Sequence, residues 1–445
     1  MTGLGMTRCV SFLIIKKTKM EVFNLYFQFV NSFLSTTWIW MPFVLPVLFV
    51  YSWMYYIQRF YWRSLDWVML EVKPPREIER TPKTMEQVFA GLWGSFGTVS
   101  TKYEKYMKGK LQDYFSFEIV GMNGEIHFYI RTLRKYRDLV EAQIYSQYPQ
   151  AEIKEAEDYT KKIPYDMPNK NWDLWGTKLK LDRESIYPLR TYVNLIDVTQ
   201  TRQPNFLDPL AGLMENLGKL KQGEQIWIQL VFRATDDRWR ENANKFAEKF
   251  TEKMMGREKK SSKNVLVSEI GGWAEAIGSV ANEFISSVPS AESAKKEEKP
   301  ATTRMVLMPA ERSVLEGIVE KASKKGYEAK LQWVYIGRKE VWNPANIAAV
   351  MGLFNQFSNL NMNTLKPDAN SMTKANYAFA KFRKAFRQRK LMRLMRLRSF
   401  WERGYILNLE ELATIYHFPT VAVQSPVTPY IATKKAGAPV DLPLE

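Results

Sequence analysis

Cysteine and histidine are almost missing from this chain. Of its 445 residues, one is a cysteine, Cys9, and two are histidines, His127 and His417. A lone cysteine cannot close an intramolecular disulfide or build a cysteine-based zinc site. Two histidines cannot form a histidine-rich metal cage or a relay of imidazoles. Acid is in short supply too: 47 Asp+Glu stand against 64 Lys+Arg, a net charge of +17. That imbalance favours anionic partners such as nucleic acid, acidic lipid headgroups or an acidic protein surface.

The motifs of nucleotide and acyl chemistry are absent as well. A phosphate-cradling loop needs free backbone N–H groups, a lysine and a hydroxyl in the run G-x-x-x-x-G-K-[ST]. Gly109-Lys110 and Gly218-Lys219 lack both the upstream glycine and the following hydroxyl. There is no G-x-G-x-x-G after a strand and no G-x-S-x-G elbow. His127, between Ile126 and Phe128, reads as a solvated strand histidine, and His417 as a satisfied histidine at a helix end. Carboxylates are plentiful, but neither spacing nor an apolar setting singles out a pair for acid–base work. The expectation is a protein that is not an enzyme and takes no cofactor or metal.

What the chain does have is a long uncharged run. No charged residue occurs from Val22 to Gln58. Within it, Trp38 to Ile57 is long enough at about 1.5 Å per residue to cross a hydrocarbon core of about 30 Å. Trp38 and Trp40 lie at one end and Trp53, Tyr55 and Tyr56 at the other, as expected of rings that prefer the headgroup level. Pro42 and Pro46 would break a soluble helix but are tolerated in a span. The bland alternative is a buried core helix. Ahead of the span, Asn24, Gln28, Asn31 and Ser35 form one polar stripe, which fits an interfacial helix leading into it. Lys16, Lys17 and Lys19 on one side and Arg59 and Arg63 on the other leave the orientation open, and Met20 is an alternative start.

The rest reads as α+β. A proline-marked connector runs from Leu70 to Phe96, with Thr84 as a helix cap. Phe115, Phe117 and Ile119 alternate with polar residues, Met122-Asn123-Gly124 turns, and Ile126, Phe128 and Ile130 alternate again, which predicts a hairpin. A helix over Leu133 to Tyr148 and a strand over Ala151 to Tyr159 follow, giving most of a split βαβ unit. Strands are expected at Leu179 to Leu181, Tyr192 to Ile196, Gln225 to Arg233, Thr303 to Met308 and Tyr327 to Ile336. Helices are expected at Leu207 to Leu220, Asp236 to Met255, Ala310 to Lys325 and Asn343 to Phe357. The fold class expected is an N-terminal transmembrane helix followed by two ferredoxin-like (split βαβ) modules and a basic C-terminal helix. The division is an interfacial segment over 1–37, the span over 38–57, and a connector and helix over 58–112. A first α+β module with the start of the second covers 113–255, a flexible linker 256–301, and the remainder of the second module 302–372. The basic helix and C-terminal motif cover 373–419, and an extended proline-rich tail 420–445.

The charge is concentrated. Lys374 to Arg403 holds eleven basic residues and one acid, Glu402, hence eleven minus one, or +10. Arg383, Lys384, Arg387, Arg389, Lys390, Arg393, Arg396 and Arg398 are its candidate polyanion- or partner-binding residues, with Phe379, Phe382, Phe386, Met392, Met395 and Leu397 as apolar companions. Such a helix suits a nucleic-acid backbone, an anionic bilayer or an acidic protein. The bland alternative is a solvated face with its aromatics in the core.

Three stretches resemble a known family: Leu70 to Glu77 (LEVKPPRE), Thr81 to Val88 (TPKTMEQV) and Leu407 to Pro419 (LNLEELATIYHFP). They are similar to the membrane-anchored N-terminal regions of type IV secretion (conjugation)-like ATPases of candidate-phylum bacteria. In that family a P-loop motor related to HerA and FtsK follows. This sequence ends about where the motor would begin, so the resemblance implies a motor on a separate polypeptide. It also implies α+β modules beside that motor, and marks Asn408, Glu410, Glu411, His417 and Pro419 as a partner-docking motif. Apart from the family, Asn408 and Glu411 have capping-box spacing for a short helix that Pro419 ends.

The function expected is thus a membrane-anchored, non-catalytic accessory subunit holding a P-loop ATPase. It would sit in the bacterial cytoplasmic membrane as a single-pass protein with its soluble part in the cytoplasm. Its expected partners are the lipid bilayer, the ATPase, DNA or anionic lipid, and, in one reading, further copies of itself. The alternative is a membrane-tethered nucleic-acid-binding protein acting through residues 374–403.

Overall fold

The computed structural model of the chain describes residues 41–75, 81–95, 97, 101–197, 205–206, 208–254, 309–375 and 379–419, with isolated positions between 26 and 35. Trp38 and Trp40, almost all of segment 1–37, the linker 256–301, the strand expected at Thr303 to Met308 and the tail 420–445 lie outside the described residues. The chain divides into two compact units. One comprises Met1–Trp67 and Gly97–Asp113, the other Val68–Phe96 and Tyr114–Glu445.

The first unit is built on helix α1, Met41–Ser64, whose 24 residues are long and apolar enough to cross a membrane. Phe43, Val47, Leu48, Phe49 and Tyr51 are all more than half exposed, as core residues would not be. The helix runs past the expected end at Ile57 because Gln58-Arg59-Phe60-Tyr61-Trp62-Arg63 contains no breaker. Its last turns meet a short helix, α3 (Lys102–Tyr106), capped by Thr101, whose hydroxyl accepts from the Glu104 N–H at 3.2 Å. The Trp53 indole donates to the Tyr106 carbonyl at 3.1 Å.

The second unit is α+β. Strand β1 is Trp67–Lys73, followed by helix α2 (Lys83–Leu92), the hairpin β2 (Phe115–Met122) and β3 (Glu125–Leu133), helix α4 (Arg137–Gln147) and β4 (Glu152–Glu155). Strand β5 (Trp172–Leu181), the small pair β6 (Ile196–Asp197) and β7 (Asn205–Phe206), helix α5 (Ala211–Gly218), β8 (Glu224–Ala234) and α6 (Arg238–Met254) come next. Helix α7 (Pro309–Ser323), β9 (Gly326–Arg338), α8 (Ala345–Gln356), β10 (Leu365–Pro367), α9 (Ala380–Leu397), β11 (Tyr405–Asn408) and α10 (Leu409–Ile415) complete it. Nine strands form one sheet in the order β10-β5-β9-β8-β2-β3-β1-β4, with β11 also on β9. Every strand pair with a described register is antiparallel.

Several expectations need correction. The connector begins with a buried strand, β1, whose Leu70 to Lys73 pair with Glu155 to Glu152 of β4. The cue was a WVML run that the prolines after it overshadowed. Pro82, not Thr84, stands at the start of α2. Tyr192–Leu195 is a 3₁₀ turn rather than a strand, and the strand after α4 covers only Glu152–Glu155.

Each sheet face has its own core, because successive side chains of a strand point to opposite sides. Phe115, Phe117, Ile119, Ile228, Leu230, Leu331 and Trp333 face α2, α4, α5, α8 and α10 on one side. Val120, Met122, Trp227, Val334 and Ile336 face the other, against Tyr159, Ile163, Met167 and three residues of α9: Leu391, Met392 and Met395. Among the described α-helices, only α9 contributes to that second core.

Candidate functional site

Helix α9 is the basic helix, and its inner and outer faces separate cleanly. Gln388, Leu391, Met392 and Met395 are buried. They seat where β5 offers no side chain. A Cβ on Gly176 would lie 2.5 Å from the Trp333 carbonyl oxygen and 2.8 Å from Leu391 Cδ2. Gln388 Nε2 donates to Asp173 Oδ1 and to the Leu174 carbonyl, both at 2.6 Å. Non-glycine residues in left-handed backbone flank the helix, Phe379 (φ 59°) before it and Arg398 (φ 48°) after it.

Seven of the eight basic residues expected to face a partner fall into two sets. Lys384 pairs with Asp173 at 2.9 Å. Arg387 donates to the carbonyls of Met372 and Lys374 at 3.1 and 2.8 Å. Arg396 donates to the carbonyls of Ile163 and Pro164 at 2.9 and 2.8 Å and lies 3.9 Å over the Tyr165 ring. These three residues fasten the helix to β5 and to the segments around 163–164 and 372–374. Arg383, Arg389, Lys390 and Arg393 are exposed. So are Phe379, Phe382 and Phe386, at 81%, 74% and 61%. Spacings of three and four put these rings on the face opposite the core, among the exposed cations. Of the apolar companions, the methionines went inward and the phenylalanines outward.

Arg398 leaves the polyanion set altogether. It has no exposed side-chain surface and grips two carboxylates. Its Nε and Nη2 donate to Glu118 at 2.7 and 3.0 Å, and its Nη1 and Nη2 to Asp158 at 2.8 and 3.0 Å. Tyr159 donates to Glu118 at 2.5 Å, Ser116 donates to it at 2.6 Å, and Gln229 donates to Tyr159 at 2.8 Å. Burial works against the guanidinium charge, yet Glu118, Tyr159 and Asp158 hold it well above the ordinary arginine value. Burial pushes the Asp158 carboxyl up, but Arg398 outweighs that and leaves it below the usual range. This cluster was hidden in the sequence because Glu118 sits at an alternating position that reads as solvent-facing. Its partner is 280 residues away.

The C-terminal motif is also inside. Asn408, Glu410, Glu411 and His417 are at most 4% exposed, and Pro419 is buried. The expected capping box is present: Asn408 Oδ1 accepts from the Glu411 N–H at 2.8 Å, and Glu411 accepts from the Asn408 N–H at 2.9 Å. Glu411 also pairs with Lys321 at 3.0 Å and accepts from the Leu189 N–H at 2.7 Å. Burial lowers the Lys321 pKa despite Glu411. Glu410 pairs with Lys324. His417 places Nδ1 2.9 Å from the Ala413 carbonyl and Nε2 3.0 Å from Asp208. Phe418 packs edge-on against Phe128 and Tyr148, at 5.2 and 5.0 Å. These residues lock the fold and offer no docking surface, since their polar atoms are consumed internally.

His127, expected to be solvated, is half-buried with Nδ1 2.7 Å from Glu71 Oε1. That hydrogen bond is the main reason the Glu71 carboxyl lies below its ordinary value. Beside α9, Lys178, Asp368, Ser371, Arg387, Lys390 and Glu402 line a cleft of about 250 Å³, in which Lys178 pairs with Glu402. Among the described residues, no three His, Cys, Asp or Glu side chains are grouped so as to hold a metal ion. Pro42, Pro46, Trp53, Tyr55 and Tyr56 all lie within α1 and are exposed.

The chain belongs to the family described as a domain of unknown function, DUF8128, which matches residues 59–429. No curated protein matches it.

Proposed function

We propose that the protein is a membrane-anchored, non-catalytic accessory subunit of a type IV secretion or conjugation-like machine, which holds a separately encoded P-loop ATPase at the membrane. The carrying observation is α1, an exposed apolar helix of spanning length on a chain whose other unit is a broad, well-packed sheet. In this reading α1 crosses the bacterial cytoplasmic membrane once and the sheet unit lies in the cytoplasm. The sheet is read as two ferredoxin-like modules. Supporting this, the order β4-β1-β3-β2 in one half is mirrored by β10-β5-β9-β8 in the other, around the β2–β8 pair. Each half also has the chain sequence strand, helix, strand, strand, helix, strand, once α3 in the first half and β6, β7, α6 and α7 in the second are taken as insertions. The Leu407 to Pro419 stretch is buried, so the face offered to the motor becomes the outer side of α9, with Arg383, Arg389, Lys390 and Arg393. Purification of the full chain in detergent from cells that make it, with identification of bound proteins, tests this. A stoichiometric P-loop ATPase, lost when Arg389 and Arg393 become alanine, is expected. Recovery with no nucleotide-hydrolysing partner contradicts it.

The exposed phenylalanines among those cations favour a second reading, single-stranded or duplex nucleic acid held by charge and stacking. It predicts that log K falls with log salt by roughly 0.9 per duplex phosphate contacted, and that Arg393→Ala lowers that slope by about one unit.

A further inference from the structure

The first unit contains a groove that the anchor alone does not explain. The last turns of α1 and the segment after α3 enclose about 430 Å³, within the range of small-molecule sites. Tyr56, Ile57, Phe60 and Met107 make an apolar wall, and Lys108 and Lys110 stand at its rim. The rim is held close by Gly109, whose φ is +62°. A Cβ there would lie 2.6 Å from the backbone carbonyl carbon of Ile57 and 2.8 Å from the Gln58 nitrogen. The turn that carries the two lysines is therefore held against the helix backbone at a position that suits glycine. The surroundings are strongly cationic. Stretches 59–64 and 101–110 together carry Arg59, Arg63, Lys102, Lys105, Lys108 and Lys110 against one acid, Glu104.

We propose that this groove is a phospholipid site, taking an acyl chain along Phe60 and Met107 and an anionic headgroup phosphate at Lys108 and Lys110. The inference rests on the membrane-anchor reading, since it places the groove at the headgroup end of α1. Charge complementarity selects the ligand. Lys110 pairs with Glu104 at 3.2 Å and Lys108 lies over the Tyr103 ring, yet the rim keeps a net positive charge, which a purely apolar occupant would leave unmatched, and a free anion would leave the aromatic wall uncovered.

The test uses the full chain in mild detergent, with native mass spectrometry after addition of phosphatidylglycerol, phosphatidylcholine or inorganic phosphate. One retained phosphatidylglycerol per chain is expected, with little phosphatidylcholine and no displacement by phosphate. Lys108→Gln with Lys110→Gln should weaken retention about thirtyfold at an unchanged melting temperature. Phe60→Ser should weaken both lipids alike. Equal retention of both lipids by the wild type and the double variant overturns the site, as does displacement by inorganic phosphate. Wild-type chain that sediments with membranes but keeps no lipid sinks this proposal and spares the anchor. Chain that is soluble without detergent sinks both.

Discussion

Arg398 shows how a residue of the most basic segment becomes part of the interior. Its guanidinium satisfies Glu118 and Asp158 together at distances of 2.7 to 3.0 Å. Removing one partner of a buried pair leaves an uncompensated charge, which costs about 3–5 kcal/mol. Arg398→Met should destabilise the chain by that amount in denaturant unfolding, whereas Arg393→Met should change stability by less than about 0.5 kcal/mol. Lys330 gives the opposite sign. Burial, together with the Lys178 charge, pulls its ammonium down to about 8. Below that pH it is charged in both the folded and the unfolded state, and the fold carries the cost. Between about pH 8 and the ordinary lysine value near 10.4 the unfolded chain holds the proton and the folded chain does not. Its destabilising contribution therefore fades as pH rises through that window. Lys330→Met should raise the melting temperature more at pH 7 than at pH 10. An equal effect at both pH values would refute the assignment.

At the scale of elements, α9 depends on a missing side chain beneath it. Gly176→Val would drive a branched Cβ into the Trp333 carbonyl and Leu391, and overpacking of this kind costs about 1–3 kcal/mol. Loss of α9 packing, seen as faster proteolysis between 380 and 397, is the expected readout. Period and turn chemistry made the hairpin β2–β3, strands β8 and β9 and helices α4 to α8 legible, usually within a few residues. The capping box at Asn408 and Glu411 was legible from spacing alone. Strands β10 and β11 and most of β5 were not, and two further failures are instructive. Strand β1 alternates only over Leu70 to Lys73; Val68 to Leu70 is buried on both faces, and such a run is easily taken for the end of the preceding apolar segment. The inner face of α9 was ambiguous because methionines and phenylalanines both recur at helical spacing, and sequence alone cannot choose which set meets the sheet. The sheet chose Leu391, Met392 and Met395, leaving the rings outside.

On the scale of the whole molecule, the mirrored strand order was legible only as a recurring pattern, because the two halves share topology without shared residues. The antiparallel β2–β8 pairing that joins them is a long-range contact with no local signature. The burial of the C-terminal motif was illegible for a related reason. Its charged residues find partners far away in sequence, Lys321 and Asp208 among them, and spacing carries no trace of that. The central claim concerns α1, and membrane extraction tests it most directly. Membranes from cells making the intact chain are washed with high salt and then at alkaline pH, which strips proteins held by charge alone, and are finally extracted with detergent. The account predicts that the chain stays in the pellet through both washes and leaves only with detergent. Release of the intact chain by either wash, or its recovery in the soluble fraction from the start, would contradict it.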